Sequence, residues 1–297
     1  MEKGLIFLRP NEFELSMEFE MSLGIAFKGP EGIVLAADSR VTLMTAQVMQ
    51  PNQPPVLLPS TYDNATKLLS FKSQDHVGVV TYGVGAIGQT EPRTAHSYIS
   101  EFEQEILQEL GDDNRLNVQD FSTRLSKFFL EKWQDQKMPS IKGQDMAFLV
   151  GGYDKGEPYG RVFEFFIPSL PTPNEKNVGK GNFGLVWGGQ REYADRLIQG
   201  FDDRLPEIAK NFLNFDDQKI DALRVNLKAQ LQAPVPIAFL PLQDCVDFAI
   251  FLIRTTIIMQ HWIVGVRGVG GAIDVAVITQ ADGFKEIQKK KIVGEER

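Results

Sequence analysis

Charged and hydroxyl-bearing residues directly after an apolar stretch are the first candidates for chemistry in this chain. Asp38, Ser39 and Arg40 follow the apolar run Ile33–Ala37. A continuous run of this kind is typical of a strand that is buried on both faces. An acid and a base at the end of such a strand form either a surface ion pair or part of a functional site.

These residues must be positioned by the segment 22–40 in which they lie. Apolar residues alternate with smaller ones over 23–28, as in a half-buried strand. The sequence Gly-Pro-Glu-Gly over 29–32 is typical of a tight turn, because proline fixes φ and glycine allows a positive φ. The sequence therefore predicts a β-hairpin with Asp38 at the end of its second strand.

The hairpin resembles the opening segment of proteasome-type subunits, which are N-terminal-nucleophile hydrolases, and is similar to a divergent, bacterial-like beta-type member. In that family the first strand begins at a catalytic threonine and the second ends in an Ala-Asp-Ser-Arg-like segment. The matching residues of the hairpin are Lys28, Glu31, Gly32, Ala37, Asp38, Ser39 and Arg40. Later matches, in a Gly-Gly-x-Asp strand and in the last core strand, are Gly151, Gly152, Asp154, Gly270, Gly271, Ile273, Asp274, Val275, Asp282 and Gly283.

The resemblance implies a catalytic site with four members. An N-terminal nucleophile needs a hydroxyl or thiol, a free α-amine to take its proton, a cation, and a backbone N–H for the oxyanion. A free α-amine has a pKa of about 7.7–8.0, which suits a base near neutral pH. Laid on the family pattern without a gap, the nucleophile falls on Ser22. Asp38 and Lys67 match the family's acid and lysine, and Gly83 matches the oxyanion donor.

The position of the nucleophile has an alternative. An alignment anchored on Gly24, with a two-residue insertion in the turn, places Glu20 there, and Glu20 cannot do this chemistry. We prefer the gapless alignment, in which Ser22 acts only after Met21 and everything before it is removed. The segment 1–21 is expected to be a propeptide or N-terminal extension, an added strand, or the product of a start codon placed too early.

The chain departs from the family at three positions. Many family members carry Asp and Ser just before the final Gly-Gly, where this sequence has Val266 and Val269, and a further family Ser corresponds to Gly189. These side chains assist the amine, although some bacterial two-ring relatives also lack the Asp–Ser pair. Two hypotheses follow. The chain is either a Thr/Ser-type endopeptidase with Ser22 as nucleophile, inert until Ser22 is freed, or a catalytically inactive structural subunit of a proteasome-like ring.

Other motifs that could bind a ligand are weaker. Residues 83–88 fit the dinucleotide fingerprint, but the acidic residue expected about 20 residues later is missing, so a nucleotide-binding module is a distant alternative. His76, His96 and His261 have no metal-ligand spacing, and Cys245 is the single cysteine. We expect no cofactor, no metal site and no internal disulfide, and a lone cysteine fits a reducing cytoplasm.

The remaining segments predict the elements around the site. Strands are predicted at 65–71, 76–82, 145–154, 160–167, 183–189 and 270–284, and helices at 91–110, 117–134 (with Asn117 as N-cap), 191–201, 216–232 and 242–263. Residues 47–62 predict a proline-rich irregular loop, and 169–182 a polar connection. We expect one domain over 22–284 with insertions at 47–62 and 202–242, followed by a charged, exposed tail over 285–297.

The order of these elements indicates an α+β fold of antiparallel sheets with helices packed outside. The resemblance adds a finer expectation, a four-layer αββα sandwich of two stacked sheets between helical layers. The 297 residues carry a net charge of −8 without a concentrated basic patch, so we expect no nucleic-acid binding. Arg254, Gln260 and His261 interrupt the apolar stretch 248–266, which favours a buried helix over a membrane span.

The resemblance also implies the partners. The substrates would be polypeptides, because the family hydrolyses peptide bonds. The subunits would associate through their helices and loops into a homo-oligomeric ring. An ATP-dependent unfoldase is a partner that the resemblance leaves open.

Overall fold

The computed structural model describes residues 22–47, 56–88, 90–110 and 115–294, and these form a mixed α+β fold. The predicted extension over 1–21 lies outside the described residues. The strands are β1 (Leu23–Lys28), β2 (Ile33–Ala37), β3 (Val41–Gln47), β4 (Val56–Tyr62), β5 (Leu68–Ser70), β6 (Val77–Gly83), β7 (Ala86–Ile87), β8 (Arg93–Thr94), β9 (Met146–Gly152), β10 (Arg161–Ile167), β11 (Leu170–Lys176), β12 (Gly184–Gly189), β13 (Asp274–Thr279) and β14 (Gly283–Gln288). The helices are α1 (Ile99–Leu110), α2 (Val118–Asp135), α3 (Glu192–Ile198), α4 (Arg204–Leu213), α5 (Asp217–Leu231) and α6 (Leu242–Trp262).

The predicted hairpin is present as β1 and β2, which pair antiparallel with Gly24 opposite Ala37. The turn between them is closed by a hydrogen bond from the Gly29 N–H to the Gly32 carbonyl oxygen (2.9 Å). Every residue of both strands is buried. Burial of one large apolar side chain contributes about 1.5–3 kcal/mol, whereas one hydrogen bond contributes about 1 kcal/mol. The core around the hairpin therefore stabilises it more than its turn does.

All strand pairs in the described part of the chain are antiparallel. One five-stranded sheet has the order β12-β1-β2-β13-β14, and a second has the order β11-β10-β9-β6-β5. Strand β3 pairs with β4, and β7 with β8, as separate two-stranded ribbons. The prediction of an α+β fold with antiparallel sheets is confirmed.

Three clusters of buried apolar side chains hold these elements together. The first contains residues of both five-stranded sheets, among them Leu35 of β2, Val80 of β6 and Leu149 of β9. The second packs α1 and α2 on the second sheet, and the third packs α3 and α6 on the first sheet. Phe128 and Phe129 of α2 are both 1% exposed, so these aromatic residues belong to the core, as predicted.

Helix α1 is shorter than the helix predicted over 91–110. It begins at Ile99, and the residues before it form β8 and a short 3-10 helix at Ala95–Tyr98. The pairing of β8 with β7 uses Arg93 and Thr94, so these residues cannot join the helix. Helix α2 agrees with its prediction, since the Asn117 side chain accepts a hydrogen bond from the Asp120 N–H (2.7 Å) as the N-cap.

Two segments predicted as loops contain strands. Strand β4 occupies the end of the proline-rich segment 47–62, of which residues 48–55 lie outside the described part. Strand β11 occupies half of the polar connection 169–182 and carries prolines at 171 and 173. It pairs on one side only, with β10, and proline is tolerated at such an edge. An edge strand with partly exposed side chains lacks the apolar alternation on which the prediction relied.

Two segments in the second half of the chain also differ from their predicted structure. The segment 202–242 holds two helices, α4 and α5, where one was predicted. Helix α4 turns most of its apolar side chains outward and buries only Pro206, so it lacks a core-facing stripe.

The charged tail begins within β14, which pairs with β13 up to Gln288. Its exposed side chains explain why the sequence pattern does not reveal it.

Helix α6 contains most of the apolar stretch 248–266. It packs on the first sheet through a buried face that includes Ala249, Leu252 and Ile253, as expected for a buried helix. Among the described residues, no helix combines the length and apolar character that a membrane crossing requires.

Candidate active site

A lysine, an aspartate and a serine meet in the interior, at one end of the β1–β2 hairpin. The Lys67 Nζ donates hydrogen bonds to the Ser22 Oγ (2.7 Å), the Asp38 Oδ1 (2.8 Å) and the carbonyl oxygen of Arg40 (2.5 Å). Ser22 is 4% exposed, Asp38 0% and Lys67 6%. The structure thus brings together three of the four residues that the sequence analysis selected, with the expected ion pair beside the serine.

The two sheets position these side chains jointly. Ser22 precedes β1 and Asp38 follows β2, and these positions are neighbours because the two strands are antiparallel. Lys67 precedes β5, which is the edge strand of the second sheet. The site therefore forms only when the sheets pack together.

Asp38 is fixed by backbone groups from three segments. Its Oδ1 accepts the N–H of Leu23 (3.0 Å), and its Oδ2 accepts the N–H groups of Arg40 (3.1 Å) and Gly270 (3.0 Å). Hydrogen bonds to an ionised carboxylate are stronger than bonds between neutral groups. The carboxylate is therefore held in one orientation, facing Lys67.

The contacts of Lys67 identify what it can do. An ammonium group has three protons and no acceptor site, and here each proton has an acceptor. Burial lowers the pKa of Lys67, while Asp38 acts in the opposite direction. As an ammonium group, Lys67 donates to the Ser22 hydroxyl oxygen, and in that state it stabilises negative charge there and does not take the hydroxyl proton. The base is then another group, and a free α-amine on Ser22 is chemically suitable.

The backbone of Ser22 is held on both sides. Its N–H donates to the carbonyl oxygen of Gly268 (3.0 Å), and its own carbonyl oxygen accepts the N–H of Gln190 (2.8 Å). Its φ is +95°, a conformation that costs a residue with a side chain about 1–3 kcal/mol. In the intact chain the Ser22 nitrogen is an amide bonded to Met21, so it cannot accept a proton.

The three positions that depart from the family differ in their surroundings. A Cβ on Gly189 would lie 2.1 Å from the Ser22 carbonyl oxygen, and the φ of Gly189 is +92°. A serine at this position therefore cannot be accommodated without a backbone shift. Val269 is buried at 1% exposure and Val266 is half-buried. At these positions no polar side chain reaches the Ser22 nitrogen, whose partner is the Gly268 carbonyl oxygen.

Gly83 lies at the end of β6, opposite Met146 of β9. Its φ is +77°, and an added Cβ would lie 2.2 Å from the Asp145 carbonyl oxygen. Crowding by the neighbouring backbone therefore accounts for a glycine here. Among the described residues, no hydrogen bond joins Gly83 to Ser22, Asp38 or Lys67.

The sequence analysis missed the groups that hold the loop 267–270 against the site. The carbonyl oxygen of Arg267 accepts hydrogen bonds from the Thr42 Oγ1 (3.3 Å) and the Arg40 guanidinium (3.5 Å). Arg40 also makes a bidentate ion pair with Asp63 (2.6 and 2.8 Å), and its hydrogen bond to Asp63 raises the pKa of Arg40. The Asp-Ser-Arg motif pointed to Arg40, but Asp63 lies in a segment without a clear pattern.

Two glutamines, Gln190 and Gln260, also belong to the site and were not predicted from the sequence. Gln260 is 1% exposed, and its Oε1 accepts the N–H of Val269 (2.9 Å) while its Nε2 donates to the Gln190 Oε1 (2.5 Å). The sequence signal was present, because Gln260 interrupts the apolar pattern of α6. A buried amide on an apolar helix face requires polar partners, and those partners mark the site.

The weaker ligand motifs form no site in the described residues. Residues 83–88 end β6 and form β7, which pairs with β8, so they do not join a parallel strand to a helix. The His76 Nε2 contacts the carbonyl oxygen of Leu116 (2.8 Å), and His96 and His261 are exposed. The described ranges contain no cluster of three His, Cys, Asp or Glu residues suited to a metal ion.

Comparisons with known proteins add no family to this description. The chain matches no family model, and a search of the curated proteins gave no match. The function must therefore be argued from the residues themselves, from their geometry and from the resemblance of the hairpin to proteasome-type subunits.

Proposed function

We propose that the chain is a proteasome-type N-terminal-nucleophile peptidase in which Ser22 is the nucleophile. The observation that carries the proposal is the Lys67 ammonium group, which donates to the Ser22 Oγ, the Asp38 carboxylate and the Arg40 carbonyl oxygen at once. A cation fixed beside a serine hydroxyl, and unable to take its proton, suits a mechanism whose base is the serine's own amine.

The wider fold supports the same proposal. One apolar cluster joins the two five-stranded sheets, and two further clusters pack helices on their outer faces. This pattern favours the four-layer αββα sandwich that the resemblance implies. The antiparallel pairing of all described strands and the ribbon after β6 argue against a nucleotide-binding module.

The proposed reaction begins once the peptide bond between Met21 and Ser22 has been hydrolysed. The free α-amine takes the proton of the Ser22 hydroxyl as Oγ attacks the carbonyl carbon of a peptide, and Lys67 stabilises the negative charge. The protonated amine then gives its proton to the leaving nitrogen, the peptide C–N bond breaks, and an ester forms on Oγ. Water hydrolyses this ester, which restores the hydroxyl and releases the acid product.

The test compares two forms of the protein. A chain that begins at Ser22, verified by intact mass, should hydrolyse small fluorogenic peptides, whereas the full-length chain should not. Ser22→Ala in the shorter chain should abolish the hydrolysis, because the nucleophile is removed. Equal activity of the two forms would contradict the proposal, since only one of them has a free amine.

A catalytically inactive subunit of a proteasome-like ring is the second candidate. It is favoured by Val269, which is buried where family members carry a polar residue, and by Val266 and Gly189. A chain with verified free Ser22 that neither hydrolyses peptides nor takes up an acylating reagent would establish this candidate over the first.

In either case we propose a cytoplasmic homo-oligomeric ring, with polypeptide substrates for the active form and an ATP-dependent unfoldase as its natural partner.

A further inference from the structure

Ser22 lies in a closed ring of hydrogen bonds that runs through two glutamine side chains. Starting from Ser22, its carbonyl oxygen accepts the Gln190 backbone N–H (2.8 Å), and the Gln190 Oε1 accepts from the Gln260 Nε2 (2.5 Å). The Gln260 Oε1 accepts the Val269 N–H (2.9 Å), and the carbonyl oxygen of Gly268 accepts the Ser22 N–H (3.0 Å). Both backbone polar groups of Ser22 are therefore tied to one pair of side chains.

The surroundings of the ring leave little freedom. Gln260 is 1% exposed and lies on the inner face of α6. A Cβ on Gly268 would lie 2.6 Å from the Gln190 Oε1, so the loop backbone passes directly against this side chain. The Gln260 amide is satisfied by its contacts to Gln190 and Val269. Loss of the Gln260 side chain would leave the partly buried Gln190 Oε1 and the buried Val269 N–H without these partners.

We propose that Gln190 and Gln260 are positioning residues that aim the α-amine of Ser22 at its own hydroxyl. This inference rests on the proposed function. The polar side chains that family members carry beside the amine are missing here. The glutamine pair instead fixes the loop 267–270, in which the Gly268 carbonyl oxygen accepts a hydrogen bond from the Ser22 nitrogen. When one N–H of the free amine donates to the Gly268 carbonyl oxygen, this bond fixes the direction of the nitrogen lone pair. In the family, a neighbouring serine hydroxyl would do this instead.

The inference predicts different outcomes for two substitutions of Gln260 in a chain that begins at Ser22. Gln260→Met keeps the length of the side chain but removes both hydrogen bonds. Gln260→Glu keeps the ring in either charge state, because a neutral carboxyl can donate to Gln190 and an ionised one can accept from the flipped Gln190 amide. Thr256→Val is the matched control, since it removes a buried hydroxyl of α6 that donates to the Leu252 carbonyl oxygen (3.0 Å) rather than to the ring.

The kinetic test measures kcat and KM for a small peptide in these variants. Gln260→Met should lower kcat by about 100-fold with little change in KM, the loss expected when a catalytic group is misplaced by about 1 Å. Gln260→Glu should recover most of this loss, and Thr256→Val should resemble the parent. A Gln260→Met variant that matches Thr256→Val, or a Gln260→Glu variant as impaired as Gln260→Met, would overturn the inference.

A second measurement separates this inference from the proposed function. The pKa of the Ser22 α-amine is titrated by nitrogen NMR after selective serine labelling. A carbonyl acceptor favours the charged amine, so Gln260→Met should lower the amine pKa, and Thr256→Val should not. Lys67, which contacts the Ser22 Oγ, and Asp38, which contacts the Leu23 N–H, are unchanged in every variant, so their effects cancel in the comparison. If the parent hydrolyses no peptide, the proposed function fails. The amine pKa alone then decides the inference, which an unchanged value in Gln260→Met overturns.

Discussion

At the scale of single residues, the hydrogen bonds of Lys67 indicate what each neighbouring group can do. Its three protons are divided among a hydroxyl, a carboxylate and a carbonyl oxygen, so it acts as a fixed cation. Asp38, with three backbone donors of its own, holds that cation in place. The Ser22 oxygen is thus an acceptor towards Lys67, and its proton is free to leave in another direction.

Replacement of Lys67 gives the first prediction. In a chain that begins at Ser22, Lys67→Ala should lower kcat/KM for peptide hydrolysis by about 100–1000-fold, the usual cost of losing one charge-stabilising group. The control is Lys72→Ala, an exposed lysine close by in the chain. Activity within a few-fold of the parent would show that Lys67 does not stabilise the transition state.

Gly189 gives a second prediction at this scale, concerning the serine that family members carry. Gly189→Ser should lower both activity and melting temperature, because its Cβ would lie 2.1 Å from the Ser22 carbonyl oxygen at a φ of +92°. Gly143→Ser is the matched control, since Gly143 has a φ of +83° but no neighbouring atom within 4 Å. An increase in activity on introducing the serine would contradict the described position of Ser22.

At the scale of elements, the β1–β2 hairpin and helix α6 form the inner frame of the site. The hairpin places Ser22 beside Asp38, and α6 brings Gln260 to the loop that holds the Ser22 nitrogen. Near the other end of α6, Cys245 is also buried, with 0% exposure. Packing along both ends of one helix therefore couples the site to the stability of the first sheet.

Cys245 allows this packing to be tested by pH. Burial raises the pKa of the Cys245 thiol from 9.0 to about 11, so the folded state retains a proton that the unfolded state loses. The contribution of Cys245 to the free energy of unfolding should therefore decline as pH rises from about 9 towards 11. Native protein should resist alkylation at pH 8 and react once unfolded in denaturant. Rapid alkylation without denaturant would show that this end of α6 is open.

The sequence predicted those elements whose side chains face a core. The hairpin, α2 with its Asn117 cap, and α6 were all identified from apolar patterning and turn or cap chemistry. Strands β4, β11 and β14 were missed because edge strands with exposed side chains lack alternation. The site itself was only half predictable. Ser22 and Asp38 lie on one hairpin, but the contacts of Gln190 and Gln260 join distant segments that no local pattern connects.

At the scale of the whole molecule, the exposed apolar side chains bear on the proposed assembly. Helix α4 exposes Leu205, Ile208 and Phe212 on one stripe, with Phe212 83% exposed. This helix belongs to the segment 202–242, which the sequence pattern indicates to be an insertion. A stripe of this kind suits a contact with another copy of the chain.

The assembly prediction uses this stripe. We expect the purified protein to be a homo-oligomer at micromolar concentration, and Ile208→Glu to shift it towards smaller species by burying a charge in the contact. Val178→Glu is the control, because Val178 and Ile208 are both 62% exposed. Light scattering coupled to size exclusion gives the masses. A monomeric parent would count against a ring.

The central claim is that a freed Ser22 is a nucleophile activated by Lys67, and intact-mass spectrometry of an acylated chain tests it most directly. A chain that begins at Ser22 is treated with an activated acyl-peptide reagent, digested and mapped. We predict one acyl ester on the Ser22 Oγ and its loss in Lys67→Ala. We predict no adduct on Ser22 in the full-length chain, where the Ser22 nitrogen is an amide. An unmodified Ser22 in a folded chain whose free amine is verified by mass would contradict the account.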